Sequence, residues 1–205
     1  KAKGLTETLG EEFLALISPF VYRKDLDFGS NTEIRDMKFK IDQSRMARRS
    51  AGINIKLGTG GIREVEFLAQ AFQLIHGGRD PSIRERSTAP ALRAIARRGM
   101  ISPDERDALI SAYYFLRSVE HRIQFSQFRQ THDLPTGNRE LRVLARRMGY
   151  NDRTDASAAE QLMGDYRRHT KTVRTIFDHL LTLPPEGETE DLASAFLPLV
   201  RGEMA

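Results

Sequence analysis

Between Gly61 and Gly77 lies a stretch, Ile62 to His76, that is apolar on two sides at once, and it limits what the rest of the chain can be. Drawn at about 100° per residue, Ile62, Val65, Leu68, Ala69, Phe72 and Ile75 form one broad apolar face. Phe67, Ala71 and Leu74 make the opposite side apolar as well. A helix of this kind is buried over most of its circumference, so other helices must surround it. Between the two faces runs a narrow polar stripe of Arg63, Glu66, Gln70 and Gln73. Burying such groups without partners costs roughly 2 kcal/mol or more each. Two arrangements satisfy the stripe: a closed polar network inside a helical bundle, or a cleft shared with a ligand or another domain.

The neighbouring segments supply the helices. Leu5, Leu9, Phe13, Leu16 and Ile17 recur at helical spacing up to Ser18-Pro19, which predicts a helix of about three turns that stops before the proline. Gly29-Ser30 opens a second pattern through Ile34, Met37 and Ile41, fading into Arg45, Arg48 and Arg49 before Gly52. Ile53 to Leu57 alternates as a short strand would and then meets Gly58-Thr59-Gly60-Gly61. Further helices are expected over Ser87 to Arg98, from the capping box at Ser102 to Glu105 through to about Phe128, over Arg139 to Met148, and from Ser157, capped by Glu160, to Leu183. Leu92 to Arg98 and Leu141 to Arg147 echo each other, but two copies do not make a stacked repeat. The expectation is an all-α, multi-helix bundle with one short extended segment and a glycine-rich turn near 53–61. Residues 1–183 form the helical domain; Pro184-Pro185-Glu186-Gly187 opens a linker, so that 184–205 is linker and the start of a following segment.

Composition excludes several function classes. With 40% hydrophobic and 29% charged residues the chain has enough apolar surface to fold. No run approaches the ~20 apolar residues of a membrane span, and the start of the chain has neither signal nor transit peptide, so a cytoplasmic location with no membrane partner is expected. The first residues carry no initiator Met and run straight into helical sequence, as a piece of a longer polypeptide would. The absence of cysteine removes thiolate nucleophiles and thiolate metal sites and fits a reducing compartment. Net charge is +4, yet the arginines are interspersed with Asp and Glu, which reads as a solvated mixed surface rather than a nucleic-acid footprint.

A second polar stripe, Arg117, Glu120, Gln124 and Gln127, stacks beside the apolar line Ala112, Leu116, Val119 and Ile123. Glu66 with Arg117 and Arg63 with Glu120 are pairs that the spacing allows, and the sequence leaves open which residues meet. The turn Lys56-Leu57-Gly58-Thr59-Gly60-Gly61 precedes a helix, so its amides and the positive end of the helix dipole could meet a phosphate, with Lys56 and Arg63 adding charge. A plain tight turn is the alternative. Glu64 and Glu66 are two apart on one helix and point about 160° away from each other, so they cannot share a metal ion. The five histidines show no metal-ligand spacing.

Lys56 to Gln70, Lys-Leu-Gly-Thr-Gly-Gly-Ile-Arg-Glu-Val-Glu-Phe-Leu-Ala-Gln, resembles the bifunctional glutamine synthetase adenylyltransferase and adenylyl-removing enzymes. Pro19 to Arg23, Asp27-Phe28, Gly77-Gly78-Arg79, Leu116 to Arg122 and Gln130 to Pro135 continue the resemblance in order, over roughly Phe13 to Pro135; the residues after Gly137 add little. The resemblance implies an enzyme of two halves, each a polymerase-β-like nucleotidyltransferase domain followed by a helical domain. One half adenylylates a tyrosine of glutamine synthetase with ATP; the other removes AMP by phosphorolysis to give ADP. The Gly61 to Glu64 form, with Gly77-Gly78-Arg79 and Gln130-Thr131-His132, resembles the N-terminal, adenylyl-removing half; Ile62 and Glu64 argue against the adenylylating half, and the related uridylyltransferase of the nitrogen-signalling protein is the other rival. The family's Asp-x-Asp magnesium motif is absent after Gly29-Ser30, which implies that catalytic and metal-binding residues lie in an upstream domain and that this segment alone is inactive and binds no cofactor tightly. Lys56, Gly60, Gly61, Arg63 and Glu66 are then expected to face that domain's nucleotide or phosphate site, supported by Glu64, Gln70, Arg117, Glu120 and Gln130. The implied partners are the upstream domain, glutamine synthetase and a PII-type signalling protein, with ATP or ADP and Mg2+ as cofactors of the whole enzyme. A module that only docks glutamine synthetase or the PII-type protein is the alternative.

Overall fold

The structure, a computed structural model, describes residues 2–24, 52–127 and 132–181. Among them are the helices α1 (Ala2–Val21), α2 (Ile62–His76), α3 (Thr88–Arg97), α4 (Pro103–Gln127), α5 (Asn138–Arg147) and α6 (Ala158–Leu181), with a single 3-10 turn at Pro81–Ile83. The expected second helix between Gly29 and Gly52, the linker after Pro184, and Gln130 lie outside the described residues. The architecture is all-α.

Local chemistry sets the ends of the long helices. At the start of α4 the Glu105 amide donates to Ser102 Oγ at 3.2 Å, and the Ser102 amide donates back to Glu105 Oε2 at 2.8 Å. Ser157 and Glu160 repeat this reciprocal cap at α6, with distances of 3.3 and 2.8 Å. Each cap satisfies amides that a helix start leaves open and stabilises by about 1 kcal/mol. Asp152 adds to the second cap by accepting from the Ala158 amide at 2.9 Å, and it also holds Arg142 and Arg146. That amide first, and then the two guanidinium groups, keep its carboxyl far below the usual carboxylate range.

Two sequence expectations are corrected. Helix α1 runs through Pro19 to Val21 instead of ending before it. Proline so close to a helix end forfeits one intrahelical bond, and the ladder resumes when the Tyr22 amide donates to Ser18 O at 2.8 Å. Ile53 to Leu57 is not a strand: Asn54 alone forms an antiparallel bridge, to Asp133. The Asn54 side chain explains the break. Its Oδ1 accepts from the Lys56 and Leu57 amides at 3.1 and 2.7 Å, curling the backbone into a turn before a ladder can extend.

Helices α4 and α6 lie along each other and form the spine on which two apolar centres are built. One gathers Val65, Leu68, Leu92, Ile95, Leu109 and Phe177; the other gathers Ile55, Ile62, Leu116, Ile123, Leu144 and Leu162. Helix α2 contributes to both, which accounts for its apolar faces. By contrast, α1 leaves Leu9, Phe13, Leu16 and Phe20 exposed. It is fastened where Arg84 reaches Ser18 Oγ at 3.1 Å and stacks over the Tyr22 ring at 4.6 Å.

Candidate functional site

The polar stripe of α2 divides into three fates. Glu66 faces α4, where its Oε1 stands 3.6 Å from Arg117 Nη2 and accepts from the Tyr113 hydroxyl at 3.4 Å. Gln73 turns away into a buried position and donates through Nε2 to Ile83 O and Glu85 O at 2.8 and 2.7 Å, tying α2 to the following loop. Arg63 and Gln70 are exposed. The expected pairing of Glu66 with Arg117 is present. The expected pairing of Arg63 with Glu120 is not, because Glu120 is engaged elsewhere.

Glu120 is 2% exposed and lies under Arg117, whose Nη1 donates to Glu120 Oε2 at 2.7 Å one helical turn away. Its other oxygen faces His132 Nδ1 at 2.9 Å. That contact has ion-pair distance but poor alignment for a hydrogen bond, and neither atom has another hydrogen-bonding partner among the described residues. Arg117 also lies over the Tyr113 ring at 5.6 Å. Burial alone would lower its pKa, but Glu120 and Tyr113 more than offset this and hold the guanidinium firmly charged. The result is a polar chain running from the half-open seam between α2 and α4 into the buried side: Glu66, Arg117 and Glu120 alternate in charge, and the His132 ring stands at the inner end. His132 is fixed from behind: its carbonyl accepts from the Ile55 amide at 2.9 Å, the Leu134 amide donates to Ile53 O at 2.8 Å, and Asn54 Nδ2 donates to Asp133 Oδ1 at 2.8 Å. The segment 53–55 and the segment 132–134 thus clamp one another beside the seam.

At the start of α2, toward α6, the glycine-rich turn closes on itself. The amides of Gly61, Ile62, Arg63 and Glu64 donate to the carbonyls of Gly58, Ile55, Lys56 and Gly61 at 3.0 to 3.2 Å. The Gly60 amide donates to Glu64 Oε2 at 3.0 Å, and Glu64 Oε1 accepts from Arg174 Nη1 at 3.1 Å. Donors that a phosphate-cradling turn would present are therefore already used, and a buried carboxylate stands among them. Gly60 has φ +68, and a Cβ there would come within 1.9 Å of Thr170 O, so the turn is pressed onto α6 and only glycine fits. Cationic side chains remain on the outer edge: Lys56 is half-buried and Arg63 exposed.

Sequence reasoning placed Glu66, Arg117 and Glu120 together but missed His132, Asn54 and Arg174. The first two sit beside a bridge joining distant segments, which has no periodic signature. Arg174 lies 110 residues from Glu64. Among the described residues no group of three or more His, Cys, Asp or Glu could hold a metal ion. No helix among the described residues is long and apolar enough to cross a membrane.

A family model described as GlnD PII-uridylyltransferase matches residues 35–181. The match runs through α5 and α6, well past Pro135, where the sequence resemblance had thinned. A bifunctional glutamine synthetase adenylyltransferase/adenylyl-removing enzyme of Thioalkalivibrio sulfidiphilus is 41% identical over 186 residues, covering 91% of this chain and 18% of that protein. A protein of the same description from Nitrosococcus oceani is 42% identical over 185 residues, covering 90% and 18%. One from Xanthobacter autotrophicus is 50% identical over 153 residues, covering 74% and 15%. The chain spans less than a fifth of the length of each of these relatives.

Proposed function

The chain belongs to the GlnD PII-uridylyltransferase family, and from that premise we propose that it is the helical companion domain of an enzyme regulating glutamine synthetase by reversible adenylylation. We assign it to the half that removes AMP from adenylyl-tyrosine by phosphorolysis. The observation that carries this reading is the set of charges Glu66, Arg117 and Glu120 at the seam of α2 and α4, with His132 against its inner end. Buried ionic groups are costly unless fully paired; Arg117 compensates one oxygen of Glu120, while Glu66 at the outer end keeps only a 3.6 Å contact with that arginine.

In this reading the seam faces the nucleotidyltransferase domain. Lys56 and Arg63, at the edge of the glycine turn, lie toward the phosphates of the nucleotide. Glu66 holds Arg117 from one side and Glu120 holds it from the other, so its guanidinium is oriented before substrate arrives. Catalysis of phosphoryl-type transfer rests largely on such positioning and charge neutralisation. Magnesium and its carboxylates belong to the nucleotidyltransferase domain, and this chain supplies no step through the metal. Gly60, Gly61 and Glu64 contribute by fixing the turn that carries Lys56 and Arg63. Glutamine synthetase is the proposed substrate protein, and a PII-type protein the proposed regulator.

The test is phosphate-dependent release of AMP from adenylylated glutamine synthetase by a longer chain that includes the nucleotidyltransferase domain. Arg117→Met is expected to lower turnover about 10²-fold, the scale of losing one preorganised charge stabiliser, with a cooperative melting transition kept at a lower temperature because buried Glu120 loses its cation. Unchanged turnover and unchanged ADP affinity in that variant would overturn the assignment and favour a module that only docks protein partners.

A further inference from the structure

A groove of about 820 Å³ opens between α5 and the first half of α6, remote in sequence from the α2–α4 seam. Its floor is apolar, built from Leu141, Val143 and Met163, and Val143 is 45% exposed. Its rim is cationic. Arg142 and Arg146 already meet Asp152, but Arg139 and Arg167 line the groove and meet no carboxylate among the described residues. The acid in the lining, Glu160, is occupied by Ser157. The groove therefore lacks a negatively charged, partly apolar occupant. A second copy of the chain would bring the same cationic rim against this one and repel it.

The sequence holds a segment of the missing character. Glu186, Glu188, Glu190 and Asp191 are followed by Leu192, Ala195, Phe196 and Leu197, and this stretch lies outside the described residues. Its reach is sufficient. From Arg167 to Leu181 is about 21 Å of helix, while Glu188 lies about 24 Å of extended chain beyond Leu181. We infer that the α5–α6 groove is the docking site for residues 188–197 of the same chain, the carboxylates of Glu188, Glu190 and Asp191 meeting Arg139 and Arg167 and the apolar residues covering Leu141, Val143 and Met163. Tethering gives such a segment an effective concentration of order millimolar, so weak contacts suffice.

The chain has no cysteine, so disulfide trapping can be read cleanly. Val143→Cys combined with Ser194→Cys is equilibrated in a glutathione redox buffer and the intramolecular disulfide is quantified. The paired cysteines are expected to show an effective concentration that falls about tenfold when Arg139→Glu and Arg167→Glu are added, the scale of two surface ion pairs. Adding Glu188→Lys and Glu190→Lys to that variant is expected to restore it. Both arginines are exposed, and far-UV circular dichroism verifies that the fold is kept. An effective concentration that ignores the charge reversal overturns the proposal. A predominantly intermolecular disulfide overturns it as well and assigns the groove to a second copy.

Discussion

Glu64 and Glu66 stand two residues apart on one helix and live in different electrostatic worlds. Glu64, 2% exposed, locks the Gly60 amide to Arg174 on α6, while Arg174 Nε also binds Asp178 Oδ2 at 2.7 Å. Glu66, with a side chain 26% exposed, faces Arg117 at a looser 3.6 Å across the α2–α4 seam. The first side of α2 is closed by backbone donors, a glycine that tolerates no Cβ and a second helix. The second is open at its outer end, and its carboxylate has one long contact with a cation that is better bound to Glu120. A carboxylate that serves folding is saturated by its own chain; one available to a ligand or a partner domain keeps unused capacity. The difference predicts that damage on the α6 side appears as lost stability and damage on the α4 side as lost function.

The sharpest break of that contrast is steric. Gly60→Ala forces a side chain into the left-handed region and against Thr170 O, which together cost about 4 kcal/mol. Gly99 has a similar φ of +71 with nothing within 4 Å of an added Cβ, so Gly99→Ala should cost only about 1 kcal/mol. Urea unfolding of the two variants checks this: equal losses would show that the turn is not pressed onto α6. Next in size, Glu64→Ala takes from Arg174 one of its two carboxylates and leaves the Gly60 amide without its acceptor in a buried turn, and should destabilise by about 2 kcal/mol. Glu66→Ala should cost less than about 1 kcal/mol, because Arg117 keeps Glu120. In a chain carrying the nucleotidyltransferase domain the ranking by turnover is expected to invert, with Glu66→Ala folded but impaired. A Glu66 variant as unstable as the Glu64 one would erase the distinction between the sides.

Much of this arrangement can be read in the residues, and the reasons for the remainder are physical. Helices whose ends are governed by local chemistry, such as those after Ser102 and Ser157, appear where the capping residues place them. The buried character of Ile62–His76 follows from periodicity alone; periodicity sets out the two polar stripes, but the contact of Glu66 with Arg117 is chosen by the packing of α2 on α4. Periodicity fails for Glu120 because an i,i+3 arginine and a loop histidine compete for it more successfully than Arg63 across the seam. It fails for Glu64 because the decisive partner comes from α6. Nor does alternation distinguish a strand from Ile53–Leu57, where the Asn54 side chain captures two amides and ends the extension.

The smallest effect distinguishes burial of charge from pairing of charge. His76 and His169 are partly buried aromatic neighbours, stacked on Phe72 at 6.0 Å and on Phe115 at 4.6 Å. Burial first, and then the nearby Arg79 or Arg168, lowers the pKa of each; for His169 the opposing pull of Asp165 does not reverse the shift. A histidine whose folded pKa is depressed binds its proton more readily when unfolded. Its contribution is therefore present above the unfolded value of about 6.5 and is lost as pH falls through the folded pKa. Melting temperatures measured from pH 7.5 down to 5 should decline over that window, and His169→Phe, which keeps a ring against Phe115 and removes the titrating nitrogens, should flatten the decline. Because His169 is on α6, facing α4 away from Glu66, this variant should leave turnover at the seam unchanged. A flattened stability profile accompanied by lost turnover would mean that the interior of the bundle and the seam are coupled, and the two sides of α2 could no longer be treated as separate.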